Sequence, residues 1–247
     1  VLAQSSNASE DYAPIEYSVR RVLPDLAEMD LAALNRFQRE SGAKAAALAC
    51  KGILAQRASK FDEAIEHFES ALSFQGENPL LWWMRTMAVR LGGLDDDESW
   101  LNAHYLAPLD PVLRAESLLS QPPTEGKDAN PLLEPLANNP EAMIDVAAIL
   151  AEVGVGTELY RWIDECLRHR EIPMLRYFLA DAYLSRPGFE FEAQSQVLQS
   201  SKAPINPPYP WRRIEGRVLN SLSARFAEDA RLRALNDIYD EFASSQP

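Results

Sequence analysis

The sequence predicts an all-α protein in which paired helices stack as an α-solenoid, and three observations carry this prediction. First, the apolar residues of Phe61–Leu72 lie three, four and seven positions apart, which is the spacing of one face of an α-helix. Second, prolines recur about every 30 residues, a period that accommodates two helices and two short turns. Third, alternating β-branched runs are few, and the hairpin turns Asn-Gly and Asp-Gly do not occur.

The segment before the repeats is expected to be only partly ordered. Residues 1–12 are mostly polar, and we expect a disordered or frayed terminus there, followed by flanking helices over residues 13–43. The chain opens VLAQ without a methionine, so we expect a processed or excised piece. Small residues near a cleavage point are also typical of the end of a secretory signal. The compartment is left open: this start is compatible with the periplasm or secretion, and the cytoplasm is equally an alternative.

The recurrent prolines mark the expected helix starts. They are Pro79, Pro111, Pro140 and Pro173, followed by the cluster Pro207, Pro208 and Pro210. Proline fits the first turn of a helix, where its missing N–H is not needed, and it disrupts a helix interior. We therefore predict that a helix begins at or beside each of these positions.

The first repeat, Ala47–Pro79, has a recognisable pattern of small and large residues. Small residues let two helices approach closely, and large residues fill the gap to the neighbouring pair. The pattern consists of Gly52 in the first helix, Phe61, Ala64, Phe68 and Ala71 in the second, and Pro79 near the close. It resembles the tetratricopeptide repeat, although Ala55 stands where that family usually has an aromatic residue. The resemblance implies a right-handed α-solenoid of antiparallel helix pairs.

The later repeats are less regular. The second, Leu80–Pro111, keeps Trp83 at a core position, but Ser99 stands where the family has alanine. The third is irregular, with an exposed loop at residues 122–126, and the fourth and fifth begin at Pro140 and Pro173. We therefore expect about five helix pairs over residues 44–204 and a capping helix pair over residues 205–247.

Two later segments carry a second resemblance. His169–Leu184 has a Pro-Met pair before a tyrosine-containing helix, and Ala203–Leu222 has an aromatic-Pro-aromatic-Arg turn that opens the next helix. These features are similar to the repeat tail of bacterial multidomain proteins. In those proteins a β-sandwich domain of unknown function, similar to sugar-processing enzymes, precedes a tetratricopeptide array. The resemblance implies a helical accessory region beside a carbohydrate-active domain.

The charge of the chain bears on its partners. The net charge is −13, from 37 acidic and 24 basic side chains, so the surface repels phosphate backbones and anionic membranes. The apolar runs are also shorter than a membrane span requires. We therefore expect no nucleic-acid binding and no membrane insertion.

The chemically reactive residue types do not form a catalytic or metal-binding pattern. Cys166 and His169 share a helix face but give only half of a zinc site, and both cysteines of the chain are better explained as buried hydrophobic residues. The acidic run at residues 95–98 fits a helix N-terminus. Glycine-rich phosphate loops and nucleophile elbows do not occur. We therefore predict no catalytic residue, no metal and no cofactor.

The sequence also contains a basic cluster and a pair of adjacent tryptophans, and the environment of each can be predicted. The arginines of Trp211–Arg217 fall in the first turn of a helix, where positive charge opposes the helix dipole. We therefore expect a carboxylate partner from the chain's own acidic surface, with a ligand as the alternative source. Trp82 and Trp83 point about 100° apart on a helix. We predict that Trp83 lies in the core and that Trp82 covers the adjacent helix pair. The alternative is that Trp82 forms an aromatic platform for a peptide or sugar.

The resemblance to tetratricopeptide repeats also implies a binding surface, because the first helix of each pair lines the concave face in that family. The expected residues are Ala49, Ile53, Arg57, Leu81, Met84, Arg85, Ala88 and Leu91. The family's lysine and asparagine clamp for a peptide carboxyl terminus is missing, and an apolar groove rimmed by arginines suits an amphipathic helix. That helix belongs to a partner or to residues 31–40 of this chain. We expect Ala88 to face away from the layer core.

These patterns lead to two hypotheses about function. The first is a non-catalytic protein–protein interaction scaffold of tetratricopeptide-like repeats that binds a peptide or helix in its concave groove. The alternative is the C-terminal helical accessory region of a carbohydrate-active enzyme whose catalytic domain lies outside this chain, in which case the partner is an upstream domain of the same polypeptide. The oligomeric state is left open by both.

Overall fold

The protein is all-α in the residues that the computed structural model describes, which are 44–94, 97–119, 133, 136, 139–202, 210 and 212–244. Eleven helices and no β-strand occur in these ranges, which confirms the predicted all-α class. The frayed terminus expected at residues 1–12, the flanking helices expected at 13–43 and the loop expected at 122–126 lie outside the described residues.

The helices divide between two compact units. In chain order they are α1 (Lys44–Arg57), α2 (Phe61–Leu72), α3 (Pro79–Leu91), α4 (Asp97–Leu106), α5 (Pro111–Leu119), α6 (Pro140–Val153), α7 (Gly156–His169), α8 (Pro173–Leu184), α9 (Glu190–Ser200), α10 (Arg213–Arg225) and α11 (Ala230–Ser244). The units are Val1–Leu113 with Glu152–Gly154, and Arg114–Ala151 with Val155–Pro247. The first unit therefore contains α1 to α4, and the second contains α7 to α11 with most of α5 and of α6.

Prolines begin four of the helices, as the sequence predicted, whereas α10 begins at Arg213, three residues after Pro210, and Pro207 and Pro208 lie outside the described residues. The first residues of α3, α5, α6 and α8 are Pro79, Pro111, Pro140 and Pro173. Before three of these prolines stands a residue whose side-chain oxygen accepts a hydrogen bond from a backbone N–H of the first helical turn. These caps are Asn78, bonded by Leu80 at 3.0 Å, Asp110, bonded by Val112 at 2.8 Å, and Asn139, bonded by Ala142 at 3.1 Å. Each start thus combines an acceptor for the unpaired N–H groups with a backbone already set for the helix.

In the first unit, α1 and α2 pack closely because α1 has a glycine at the contact. A Cβ atom placed on Gly52 would lie 2.6 Å from Cε1 of Phe68, which is too close for any side chain. Phe68 is fully buried, and so are Ala64 and Ala71, the small residues of the predicted pattern. Helix α2 also contacts α3, and α3 contacts both α1 and α4. The core of this unit therefore lies among four helices that follow one another in the chain.

In the second unit, α8 is the central helix, in contact with α7, α9 and α10. Trp162 of α7 is fully buried, and its Nε1–H donates a hydrogen bond of 2.9 Å to the carbonyl oxygen of Met143 in α6. Helix α10 contacts α11 at another glycine, because a Cβ atom on Gly216 would lie 2.1 Å from Cε1 of Tyr239. A glycine beneath an aromatic ring thus occurs in both units.

A buried arginine fixes the start of α10. Arg212 Nε donates to Asp145 Oδ1 and Nη2 donates to Glu141 Oε2, both at 2.7 Å, while Nη1 donates to Glu215 Oε1 at 3.1 Å. The side chains of Arg212 and Glu215 are 4% and 1% exposed. Burial by itself lowers the pKa of Arg212, but the carboxylates of Glu215, Asp145 and Glu141 outweigh burial and raise that pKa. The prediction that carboxylates of this chain accompany an arginine here is confirmed.

Replacing Gly52 by alanine should destabilise the first unit. The added Cβ atom must displace the ring of Phe68 or separate α1 from α2, and overpacking of this kind costs about 1–3 kcal/mol. Gly76→Ala is the matched control, because a Cβ atom there meets no atom closer than 3.4 Å. The free energy of unfolding, measured by urea titration, should fall for Gly52→Ala and stay nearly unchanged for Gly76→Ala. Equal stability of the two variants would contradict the close approach of α1 and α2.

Replacing Arg212 by methionine should destabilise the second unit more than the loss of a surface ion pair does. Glu215 would stay buried without its cation, and breaking a buried pair in this way costs about 3–5 kcal/mol. The comparison variant is Arg176→Met, whose partner Glu171 is exposed and keeps its hydration, so that loss should be at most about 1 kcal/mol. The double variant Arg212→Met/Glu215→Met should recover part of the stability. Equal urea midpoints for Arg212→Met and Arg176→Met would show that the cluster does not stabilise the fold.

Candidate interaction surface

Five of the eight residues predicted for a concave binding face are buried. At most 2% of the surface of each is exposed, and the five are Ala49, Ile53, Leu81, Met84 and Ala88. The expectation that Ala88 faces away from the core is therefore wrong. Its helix, α3, contacts α1, α2 and α4, and eight of its 13 residues are buried. The other three predicted residues, Arg57, Arg85 and Leu91, are half-buried and remain within reach of a partner.

A small open cleft lies beside Arg85 in the first unit. Its volume is about 220 Å³, and residues of α2, α3 and α4 line it: Glu69, Leu72, Trp82, Arg85, Glu98 and Ser99. We call it the α2–α4 cleft. Its lining combines one aromatic ring, one guanidinium group, two carboxylates, a hydroxyl group and one aliphatic side chain. The cleft is smaller and more polar than the usual pocket for a small molecule.

Arg85 joins the three helices around the cleft. Its Nε and Nη2 atoms donate to Oε1 of Glu69 in α2 at 3.1 and 2.8 Å. Its Nη1 atom donates to the hydroxyl oxygen of Ser99 in α4, and Ser99 is fully buried. The serine that departs from the repeat pattern therefore has a defined role, because alanine at that position would leave the guanidinium group without this acceptor.

The two adjacent tryptophans have different environments. Trp83 is fully buried, which confirms its predicted core position. Trp82 is half-buried and lines the α2–α4 cleft, and its Nε1–H donates a 2.7 Å hydrogen bond to the carbonyl oxygen of Gly76. That bond fixes the position of the indole ring next to the open space. The position of Trp82 is thus compatible with the second interpretation of this residue, an aromatic platform.

Helix α4 exposes large apolar side chains. Leu101 is 62% exposed and Tyr105 is 85% exposed, whereas Ser99 and Ala103 on the opposite side of the helix are fully buried. We call Leu101 and Tyr105 the outer face of α4. This face was not predicted from the sequence. The available signal was the spacing of four residues between Leu101 and Tyr105, which places both side chains on one side of a helix. Exposed Leu94 and Leu109 flank the helix in the chain.

The thiol groups of the protein are buried. Burial raises the pKa of Cys50 to about 12. Burial, together with the nearby Glu165 carboxylate, also raises the pKa of Cys166. Both thiols therefore stay protonated at neutral pH and are poor nucleophiles in the folded protein.

The described part of the chain contains neither a metal-binding cluster nor a membrane-spanning helix. Within residues 44–94, 97–119 and 139–244, apart from the gaps given above, no three His, Cys, Asp or Glu side chains come together to hold a metal ion. In the same part of the chain, no helix combines the length and apolar character needed to cross a membrane.

Comparisons of the chain with protein-family models, with curated proteins and with solved structures find no match. The resemblances to tetratricopeptide repeats and to bacterial repeat tails therefore stay predictions, which depend on the residue patterns of Ala47–Pro79 and of His169–Leu222. Any function of the α2–α4 cleft and of the outer face of α4 has to follow from their own contacts and charges.

Proposed function

We propose that the protein is a non-catalytic interaction scaffold of tetratricopeptide-like repeats, and that it binds a partner protein at the outer face of α4. The observation that carries this proposal is the exposure of Leu101 and Tyr105. Neighbouring large apolar side chains on a folded surface are a common mark of protein–protein contacts. Full burial of an exposed leucine side chain is worth about 1.5–3 kcal/mol before the entropic costs of association are subtracted, so covering these side chains can contribute to binding.

The helix contacts support the repeat arrangement that belongs to this proposal. Successive helices touch from α1 to α4, and α1 also touches α3. In the second unit α8 touches α9 and α10 in the same manner. Contact between a helix and the second helix after it is expected when helix pairs stack as layers of a right-handed solenoid of antiparallel pairs. The contact of Gly52 with Phe68, two residues of the repeat pattern, agrees with this arrangement.

The burial of the predicted concave residues changes where the partner is placed. Ile53, Met84 and Ala88 are in the core, so a partner would have to separate helices to reach them. The outer face of α4 requires no such rearrangement. The proposed binding surface therefore consists of Leu101 and Tyr105. Of the residues predicted from the sequence, Arg85 lines the neighbouring α2–α4 cleft.

Site-specific photocrosslinking should detect a partner at this surface. A photoreactive phenylalanine analogue at Tyr105 should give a discrete crosslinked product in extracts of the native host, and the same analogue at Glu63, an exposed position of α2, should not. Leu101→Asp should remove the product, because a carboxylate would be desolvated against the apolar partner. The variant should stay within about 0.5 kcal/mol of the original stability, since the position is exposed. Identical products at Tyr105 and Glu63, or none at Tyr105, would contradict the scaffold function at this face.

The second candidate function, an accessory region of a carbohydrate-active enzyme, is favoured by one observation. Trp82 lines an open cleft with its indole N–H already bonded to Gly76, and sugars stack on tryptophan rings held in this way. If this function is correct, oligosaccharides should quench the tryptophan fluorescence of the protein, and Trp82→Leu should abolish the response. Saturable binding that is unchanged in Trp82→Leu would exclude the cleft as the sugar site.

A further inference from the structure

We propose that the partner of the outer face of α4 is a basic amphipathic helix, and that one lysine or arginine of this helix enters the α2–α4 cleft. This inference depends on the proposed scaffold function, because it assigns the chemistry of the segment that the scaffold binds. The partner helix would place its apolar residues on Leu101 and Tyr105, and its basic side chain between Trp82 and the carboxylates of Glu69 and Glu98.

The charges of the cleft favour a cation. Glu69 and Glu98 provide two carboxylates against the single guanidinium of Arg85, and the whole chain carries a net charge of −13. Both bonds from Arg85 to Glu69 end on Oε1, so the Oε2 atom of that carboxylate is not used by Arg85. The Glu69 side chain is 52% exposed. An incoming ammonium or guanidinium group therefore meets a carboxylate that remains open to solvent.

The same hydrogen bonds disfavour an anion, such as the carboxyl terminus of a peptide. Nε, Nη1 and Nη2 of Arg85 already donate to Glu69 and Ser99. These bonds engage three of the five N–H groups of the guanidinium, and an anion at the remaining edge would lie close to two carboxylates. The bonds of Arg85 thus hold the cleft wall together, and we assign the contacts with the ligand to the carboxylates and the indole ring that also line the cleft.

Trp82 adds a second attraction for a cation. The bond from its Nε1–H to Gly76 fixes the ring at the cleft wall. A lysine or arginine within about 6 Å of the centre of an indole ring is attracted by the negative face of the ring. The cleft volume of about 220 Å³ is the space of roughly seven water molecules, which suits one long side chain and excludes a folded element.

The relation of the cleft to α4 indicates a helical partner. Leu101 and Tyr105 follow Glu98 by three and seven residues, so all three side chains lie on one side of α4. Glu98 is exposed, lines the cleft and precedes Leu101 and Tyr105 on the same side of α4. Over this distance α4 rises about 10 Å. A partner segment that meets a charge and then two apolar side chains within this length matches the three- and four-residue spacing of an amphipathic helix.

A selection from a displayed random peptide library tests the chemistry of the partner. Peptides of about 12 residues, three helical turns, are selected on the full chain and counter-selected on the variant Glu69→Gln/Glu98→Gln/Leu101→Asp. We expect the selected sequences to contain a lysine or arginine three or four positions from a pair of apolar residues. Selected sequences that are acidic, or that lack a basic residue, would overturn the proposal, and so would a selection that yields no binder.

Affinity measurements on the best selected peptide test the assigned residues. Glu69→Gln/Glu98→Gln should weaken its binding by about tenfold and flatten the salt dependence, whereas Glu63→Gln, a change on the same helix as Glu69 but outside the cleft, should change the affinity by less than about twofold. Trp82→Leu should also weaken the binding of lysine-containing peptides. Equal effects of the cleft variant and of Glu63→Gln would exclude the cleft as the basic-residue site.

The outcomes separate this inference from the proposed function. If Leu101→Asp abolishes peptide binding but Glu69→Gln/Glu98→Gln does not change it, the scaffold function stands and the proposed binding of a basic side chain in the cleft is wrong. Absence of both selected peptides and photocrosslinks at Tyr105 would remove the scaffold function together with the inference. Circular dichroism of each variant shows that its helices are intact before its affinity is interpreted.

Discussion

The close approach of helices at glycine positions is the constraint on which much of this structure depends. Gly52 lies beneath Phe68 in the first unit, and Gly216 lies beneath Tyr239 in the second. Glycine inside a helix costs about 1 kcal/mol relative to alanine, so local preference does not favour either position. The aromatic ring buried against each glycine offsets this cost. Packing between helices therefore determines these two residues, and the neighbouring helices take their positions from the resulting contacts.

Arginines provide the polar counterpart of this packing, and Arg212 and Arg85 have different roles. The Arg212 side chain is 4% exposed and is bonded to three carboxylates, so its main effect is on the stability of the second unit. The Arg85 side chain is 20% exposed and is bonded to one carboxylate and one hydroxyl group at the edge of a cleft. Its bonds position the carboxylate of Glu69 and the start of α4, and they thereby shape the surface that we assign to binding.

The sequence was informative where one residue determines a local event. Four prolines predicted helix starts, and the arginine at the start of α10 predicted a carboxylate partner, because proline geometry and the helix dipole act within a single turn. The all-α class followed from periodicity. These predictions needed no knowledge of which helices become neighbours.

The candidate site was predicted less well, for a physical reason. Ala88 was expected to be exposed, but three other helices contact α3, and the number of neighbours around a helix is not encoded in its own periodicity. The exposure of Leu101 and Tyr105 depends in the same way on the helices that surround α4. Ser99 was predicted in part. Its departure from the repeat pattern was visible in the sequence, but its hydrogen-bond partner Arg85 became known only from the structure.

The two buried cysteines allow the local opening of each compact unit to be measured by thiol labelling. Cys50 lies in the first compact unit and Cys166 in the second, and the chain has no other cysteine. A thiol reagent reacts with each only when the surrounding helices separate and the thiol regains its ordinary acidity. The two labelling rates therefore measure the opening free energy of each unit separately, in the unmodified sequence and in one experiment. A partner that binds α4 would slow the labelling of Cys50 in proportion to the free energy with which it stabilises the first unit.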